Sequence, residues 1–195
     1  VASLLTPSFS VRYQSLIART ALLERKYYLA YQEYSKILQR KPDDPLLYFY
    51  AGQAAYHSGD YSKAKEYLTH ALEENPALRI DILFYRGLCL KKSGENKQAI
   101  EDLLQVVQTD YPEIALAQGN LGILYLEEKD YDSARKWLLV AGKNQSFALI
   151  SEGWAKYYYY KKDFSHALKE IEQCIYLVPW DPLYHYWKGR ISFEL

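Results

Sequence analysis

Residues 45–78 read PLLYFYAGQAAYHSGDYSKAKEYLTHALEENPAL, and they decide the fold. In the first half, small and apolar residues recur at three- and four-residue steps, a spacing that places them on one face of a helix: Tyr48, Ala51, Gly52 and Ala55. The second half has the same spacing: Tyr61, Ala64, Leu68 and Ala71. Ser58-Gly59-Asp60 separates the two halves, and Pro76 ends the second. The stretch therefore predicts two short helices joined by a tight turn.

The small residues of this stretch indicate how the two helices meet. Gly52 and Ala64 predict that the two backbones pass closely, and Tyr61 is expected to fill the space near the turn. Helices of about 14 residues are marginal alone, because nucleation is costly and few hydrogen bonds repay it. A neighbouring pair of helices must therefore supply the missing burial.

The same arrangement repeats along the chain. Small residues recur at intervals of 34, 35, 35, 33 and 34 positions: Ala18, Gly52, Gly87, Gly122, Ala155 and Gly189. A second series follows 12 residues after the first five of these: Ala30, Ala64, Ala99, Ala134 and Ala167. A fixed period of this length is typical of stacked helical repeats.

These positions resemble the tetratricopeptide repeat (TPR) family, whose period is 34 residues. An aromatic residue stands three positions before four of the five alanines: Tyr27, Tyr61, Tyr131 and Phe164. A proline closes four of the five units: Pro42, Pro76, Pro112 and Pro179. The resemblance implies an all-α fold, a right-handed α-solenoid of stacked antiparallel helix pairs known as the TPR superhelix.

The register divides the chain into a lead-in at residues 1–10 and a TPR array at 11–195. The full units are predicted at 11–44, 45–78, 80–113, 115–148 and 148–181, with a partial sixth at 182–195. Two units depart from the pattern. The third has Asn96 where an aromatic belongs, and the fourth has residues 142–146 (GKNQS) where a proline belongs. We expect a change of superhelix pitch at the second departure.

Composition limits the classes of function. Lys+Arg and Asp+Glu are equal at 24 each, which disfavours non-specific nucleic-acid binding, since that needs an excess of cations. No apolar run is long enough to cross a bilayer. The absence of Met suggests a piece of a longer protein. With no targeting motif the compartment is open, and a soluble cytoplasmic segment is the default interpretation.

No catalytic, cofactor or metal motif is present in the sequence. It has no nucleophile elbow, zinc-protease helix, phosphate loop or dinucleotide fingerprint. Four histidines occur singly in different units: His57, His70, His166 and His185. Cys89 and Cys174 match no metal or redox spacing and are predicted to be buried free thiols. The chain is therefore predicted to be non-catalytic, without a cofactor or a bound metal.

The resemblance implies a binding groove lined by the first helix of each unit. The side chains that do not face the paired second helix are aromatic, aliphatic or cationic, and Tyr and Arg are enriched in binding hot spots. The implied peptide-binding residues are Arg19, Phe49, Gln53, Tyr56, Phe84, Lys91, Asn120, Ile123, Lys156, Tyr159, Tyr186 and Arg190. Among four successive tyrosines that cannot share one helical face, Tyr158 is expected in the core, with Tyr159 and Tyr160 toward the groove.

One branch of the family can be compared residue by residue. Its co-chaperones grip acidic chaperone tails with a carboxylate clamp of Lys, Asn and Arg over three units. The corresponding places in units two to five hold Phe49, Gln53, Phe84, Tyr85, Leu88, Leu116, Asn120, Leu149 and Gly153. Only Asn120 fits its place, so chaperone-tail binding is not indicated.

Three functional hypotheses remain open from the sequence. The first is a scaffold or adaptor whose groove binds a peptide or helix of a partner protein and assembles a complex. The second is a regulatory or docking domain of a larger multidomain protein or enzyme. The third is self-association through the last helix, whose apolar residues have no second helix to cover them: Leu183, Tyr184, Tyr186, Trp187, Ile191 and Phe193. The partner and the pathway are not identified by any residue.

Overall fold

The computed structural model describes residues 7–74, 76–143 and 148–195, and within those ranges every regular element is a helix. The α-helices are α1 (Pro7–Leu23), α2 (Tyr27–Leu38), α3 (Pro45–Ser58), α4 (Tyr61–Glu74), α5 (Arg79–Lys92), α6 (Asn96–Val106), α7 (Ile114–Glu127), α8 (Tyr131–Gly142), α9 (Ala148–Tyr160), α10 (Phe164–Leu177) and α11 (Pro182–Glu194). A 3₁₀ turn at Pro76–Leu78 precedes α5. The predicted all-α class is confirmed.

The chain divides into two compact units, Val1–Asp102 and Leu103–Leu195. In the first unit each of α1 to α4 packs against the next helix, and α3 also contacts α5. In the second unit α7 packs on α8 and α9, and α10 lies against both α9 and α11. Successive packing of neighbours is the pattern of stacked repeats.

The predicted turns lie between helices, as their residue types indicate. Gly59 and Gly94 adopt φ of 89° and 76°, the left-handed region that glycine enters without steric cost. Arg25, Lys129 and Lys162 occupy the corresponding places in the other units with φ of 59°, 62° and 61°. Each of these five residues ends a first helix and reverses the chain into its partner.

Aspartate residues begin several helices. The carboxylate of Asp44 accepts hydrogen bonds from the backbone amides of Leu46 (3.1 Å) and Leu47 (3.3 Å), with Pro45 at the first helical position. Asp181 caps α11 in the same way, through the amide of Leu183 at 2.9 Å. These caps give a hydrogen-bond partner to amides that have none inside the helix. Proline is tolerated at the first helical position because its missing N–H would have no partner within the helix there.

Glycine and alanine permit the close approach of paired helices. A Cβ added to Gly52 would lie 2.7 Å from Cγ of Leu68 and 3.4 Å from the carbonyl of Ala64. A Cβ on Gly122 would lie 2.7 Å from Cγ of Leu138. No space exists for either atom, so the predicted close approach of α3 and α4 is confirmed, and α7 and α8 approach each other in the same way.

The interior consists of apolar clusters built from neighbouring helices. In the first unit, Ala64 and Leu68 of α4 pack with Ile82 and Cys89 of α5. In the second unit, residues of α9 and α10 pack with three residues of α11: Tyr184, Trp187 and Ile191. The prediction that α11 is uncovered is therefore corrected for these three, which are buried because α10 covers that face.

Three predictions lie at the edges of the described residues. Helix α1 begins at Pro7, so the predicted lead-in contributes four residues to it. Residues 144–147 are outside the described ranges, and the predicted pitch change at 142–146 falls there. The unit boundaries stay a prediction.

The two cysteines are confirmed as buried free thiols, and burial raises the pKa of each to about 12.

Candidate functional site

The twelve predicted peptide-binding residues fall into three groups in the structure. Five of them line two surface pockets, one in each compact unit. Three others are partly exposed and lie in neither pocket: Tyr56, Lys91 and Lys156. Four are buried: Phe49, Phe84, Asn120 and Ile123, with exposed fractions of 7%, 4%, 7% and 1%. Their joint role as one binding groove stays a prediction.

Burial of those four is a correction to their predicted place on an open surface. Phe49 belongs to a cluster with Ile82 and Cys89 of α5, which covers it. The side-chain amide of Asn120 donates to the carbonyl of Leu116 at 2.8 Å, within its own helix. Ile123 belongs to α7, ten of whose 14 residues are buried. A helix without charge for most of its length is expected to be buried all round, and that signal was present in the sequence.

The pocket of the first unit is called the Arg19 pocket. Its volume is about 400 Å³. Its lining combines two arginines, two leucines, Gln53 and four aromatic rings: Arg19, Leu22, Leu23, Arg25, Tyr27, Tyr50, Gln53, His57 and Tyr85. Helices α1, α3 and α5 contribute, together with the turn after α1 and the first residue of α2. Arg19 and Gln53 were predicted, and the structure brings them together.

Aromatic stacking and one hydrogen bond order the wall of the Arg19 pocket. The ring of Tyr27 stacks on His57 with centroids 4.4 Å apart, and Tyr85 meets His57 edge-on at 5.7 Å. The side-chain amide of Gln53 donates to the hydroxyl of Tyr85 at 2.8 Å. Side chains held by such contacts lose less entropy when a ligand binds.

The electrostatic environment of this wall is positive. Desolvation lowers the pKa of His57 below its ordinary value, and the positive charge of Arg25 lowers it further. A lowered pKa keeps the imidazole neutral at pH 7. The two guanidinium groups are therefore the charged groups among the residues that line the pocket.

The pocket of the second unit is called the Arg190 pocket. Its volume is about 490 Å³. It is lined by residues of α9 and α11: Tyr159, His185, Tyr186, Gly189, Arg190, Phe193 and Glu194. Tyr159, Tyr186 and Arg190 were predicted as binding residues, and the structure brings these three together.

Aromatic rings hold the guanidinium of Arg190. Its central carbon lies 5.0, 5.8 and 4.9 Å from the ring centroids of Tyr159, Tyr186 and Trp187, within cation–π range. Its Nη2 donates to the hydroxyl of Tyr159 at 3.0 Å, and this hydrogen bond raises the pKa of the arginine. Within the described residues it forms no salt bridge. The rings thus orient the positive charge, and Glu194, a carboxylate of the same lining, forms no salt bridge with it in the described residues.

Lys156 differs from the two arginine sites. Its ammonium lies 2.6 Å from the carboxylate of Glu152, and both side chains are largely buried, with exposed fractions of 15% and 12%. It also lies 5.7 Å from the ring centroid of Trp187. This internal partner leaves Lys156 less available to a ligand carboxylate than Arg190.

The four successive tyrosines point in different directions, as helical geometry requires. Tyr157 packs against the cluster of Leu126, Ala134 and Leu138. Tyr158 and Tyr159 pack against the cluster that contains Trp187. Tyr160 is 43% exposed and its ring lies 6.2 Å from Tyr131. Tyr158 thus contacts the core as expected, and Tyr159 reaches both the core and the Arg190 pocket.

Several pocket residues were not predicted from the sequence. Arg25, Tyr50, His57 and Tyr85 line the Arg19 pocket, although none was assigned to the groove. A usable signal existed for Arg25, since it occupies the turn position that holds Gly59 and Gly94 in the next two units. A long cation at a position that favours glycine is a usable signal, although Lys129 and Lys162 share it in later units.

Two features of the described residues bear on other kinds of site. None of the described helices is both long and apolar enough to span a membrane. The described histidine, cysteine and carboxylate side chains form no group of three that could hold a metal ion.

Family models and curated relatives identify the repeats. Two models described as tetratricopeptide repeat match residues 45–78 and 86–147. The TPR repeat-containing thioredoxin TTL4 of Arabidopsis thaliana is 33% identical over 96 residues, which is 48% of this chain and 13% of TTL4. The photosystem I assembly protein Ycf3 of Acaryochloris marina is 31% identical over 87 residues, 44% of this chain and 52% of Ycf3. The chain thus matches about half of Ycf3 and a small part of TTL4.

Solved structures agree on the fold. A tetratricopeptide repeat protein from Parabacteroides merdae is similar with a TM-score of 0.70 and 18% identity. The similarity covers 95% of this chain and 73% of that protein. At this identity the likeness shows the fold alone, and that fold is the predicted TPR solenoid.

Proposed function

The chain belongs to the tetratricopeptide repeat family, and on that basis we propose that it is a non-catalytic scaffold or adaptor that binds a peptide or helix of a partner protein. Tetratricopeptide repeats imply protein–protein interaction. The finer proposal concerns where the partner lies: it contacts the Arg19 pocket of the first compact unit or the Arg190 pocket of the second.

One observation carries this proposal. Each compact unit presents a pocket in which arginine and tyrosine side chains converge, and neither Arg19 nor Arg190 forms a salt bridge in the described part of the chain. Tyrosine and arginine contribute large contact areas at low entropic cost and dominate interface hot spots. A cation held by rings without a carboxylate is well placed to receive one from a partner.

Peptide display against the whole chain tests the proposal. Peptides selected from a random library are titrated against the parent chain, Tyr186→Ala and Arg190→Gln. We expect about tenfold weaker binding for each variant, because a hot-spot side chain contributes roughly 1–2 kcal/mol. Tyr176→Ala is the matched control, since Tyr176 is 81% exposed and lines neither pocket. Unchanged affinity for both pocket variants would remove the Arg190 pocket from the proposal.

A second candidate function is a docking domain within a larger protein. The match to TTL4 covers 13% of that protein, whose name joins the repeats to a thioredoxin. Under this alternative the repeats recruit a partner for a neighbouring domain. Sequencing the complete open reading frame decides it, since a frame without another domain contradicts the alternative.

Self-association through α11 is a further proposal. Leu183, Tyr186 and Phe193 are exposed by 44%, 59% and 90%, although the other apolar residues of this helix pack inward. Sedimentation over a range of concentrations tests the proposal, and a constant monomer mass would remove it.

A further inference from the structure

We propose that the Arg19 pocket selects an acidic peptide, with Arg19 and Arg25 binding a side-chain carboxylate and the adjoining leucine and tyrosine side chains receiving an apolar neighbour. This inference deepens the proposed scaffold function and rests on it. It assigns one unit of the array a chemical preference: an acidic residue next to an aliphatic one in an exposed segment of the partner.

The two arginines carry charge that the protein does not neutralise. Neither has a carboxylate within salt-bridge distance in the described residues. Glu24, which adjoins Arg25 in the sequence, is bound by the ammonium of Lys26 at 2.7 Å. From Val11 to its end, α1 contains no acidic residue, and α3 contains none at all. The two helices that supply most of the lining, α1 and α3, thus offer no carboxylate to either arginine.

Arg25 is fixed at the edge of the pocket by its turn. Its backbone amide donates to the carbonyl of Leu22 at 3.1 Å, and the amide of Lys26 donates to Ala21 at 2.8 Å. Its guanidinium acts on the titration of His57, so the charge lies toward the aromatic wall. A turn that is bonded on both sides directs this side chain into the same pocket as Arg19.

The remaining lining suits an apolar neighbour of the acid. Leu23 is 78% exposed and Leu22 lies beside it, so both offer aliphatic surface at the pocket. Tyr27 and Tyr50 add ring surface to the same lining. A volume of about 400 Å³ is at the size of a small-ligand site, which fits one or two side chains rather than a folded domain.

The two guanidinium groups suit a carboxylate, although arginine also forms bidentate pairs with phosphate. Guanidinium groups bind carboxylates in a planar, bidentate manner. No lysine lines the pocket, and His57 stays neutral near pH 7, so a phosphate dianion would find no third cation among the lining residues. Phosphorylated peptide is the competing ligand, and the experiment includes it.

Fluorescence anisotropy with a panel of short, terminally blocked peptides tests the inference. Leucine alternates with glutamate in one, and with glutamine, lysine or phosphoserine in the others. The whole chain is compared with Arg19→Gln and Arg25→Gly. We expect the glutamate peptide to bind best and each variant to weaken it about tenfold, as one charge-assisted hydrogen bond is lost. Higher salt should weaken binding to the parent chain more than to either variant.

The Arg25 variant is chosen so that misfolding cannot imitate the result. Arg25 has φ of 59°, which glycine adopts without strain, so Arg25→Gly should keep or raise thermal stability. Lys129→Gly is the matched control, because Lys129 takes the same turn conformation, φ 62°, in the second unit. It should gain similar stability and keep full peptide affinity.

Other outcomes separate the inference from the function on which it rests. Equal binding of glutamate and glutamine peptides would overturn the carboxylate preference and leave the scaffold function standing. Tighter binding of the phosphoserine peptide that depends on Arg19 and Arg25 would also overturn it. Binding of no peptide in the panel would overturn the inference, while the scaffold function would still be decided by the library selection.

Discussion

At the scale of single residues, Leu138 shows how one side chain determines the approach of helices. It is fully buried on α8 and faces two glycines, Gly122 of α7 and Gly153 of α9. A Cβ on either glycine would collide with the leucine side chain. Since interiors are packed to crystal-like density, the missing methyl groups are part of the packing.

The substitution Gly122→Ala tests this contact. The helix gains about 1 kcal/mol from the lower entropy of the unfolded chain, but overpacking against Leu138 costs more, so we expect a net loss of roughly 1–2 kcal/mol. Gly189→Ala is the control, because an added Cβ there meets no atom within 4 Å, and it should gain up to about 1 kcal/mol. Urea unfolding of both variants gives the two values.

The titration of His57 offers a second prediction. Its pKa is lowered by desolvation and by Arg25, while the rings of Tyr27, Tyr56 and Tyr85 pack around it. In the folded chain we expect it to titrate below 6.5. The unfolded chain then binds more protons as the pH falls through 6.5, so His57 makes the fold less stable toward acid.

Ring-proton NMR of the four histidines measures this, with His57→Gln to assign the signal. The substitution Arg25→Gln removes one of the two causes, so the pKa of His57 should rise toward its ordinary value. The ring-proton signal of His166, in the second unit, is the internal reference. If the pKa of His57 is the same in Arg25→Gln as in the parent chain, the charge of Arg25 does not affect the imidazole.

At the scale of elements, an ion pair ties α5 to α6. The guanidinium of Arg86 donates two hydrogen bonds of 2.7 Å to the two oxygens of Asp102, whose side chain is 4% exposed. The hydrogen bonding raises the pKa of Arg86. A bidentate pair at this depth orients two helices, although its formation required both charges to leave water.

Breaking this pair from one side should be costly. We expect Asp102→Ala to lower the free energy of unfolding by about 3 kcal/mol, because the arginine is left without its partner. The double variant Arg86→Met with Asp102→Leu should cost less than Asp102→Ala alone. For comparison, Glu172→Gln breaks an exposed pair with Lys188 and should change stability by less than about 1 kcal/mol. Chemical denaturation of the four chains checks the order.

The helices and turns could be predicted from the sequence, but the neighbour that covers each first helix could not. Helical spacing and turn residues such as Gly59 act locally, so they are readable in one unit. Phe49 was expected on the surface, yet α5 of the next repeat covers it. The Arg19 pocket also needs Tyr85 from that later helix. Spacing within one helix does not say which neighbour will cover it.

At the scale of the whole molecule, the two compact units can be observed separately. All four tryptophans lie in the second unit: Trp137, Trp154, Trp180 and Trp187. Far-UV circular dichroism reports the helices of both units, whereas tryptophan emission reports the second alone. In a stack of repeats stability is carried by units and their nearest neighbours, so the two signals need not change together.

Leu68→Ala is a test of this independence, because Leu68 is fully buried in the first unit. A cavity at such a site costs about 3 kcal/mol. We expect the dichroism transition to begin at lower urea while the midpoint of tryptophan emission moves little. Leu138→Ala in the second unit should shift the emission midpoint. Equal shifts of both signals by Leu68→Ala would show a single cooperative transition instead.

The five left-handed turn residues have a consequence for how such a protein can change over generations. A glycine there is conformationally free of strain, while an arginine or lysine gives up about 1–2 kcal/mol to place a charge at the same point. A substitution at this one position therefore adds a charge and lowers the stability of the fold, while the helices keep their places. A new binding preference can be acquired at one turn, and lost again, while the hydrophobic interior is inherited intact.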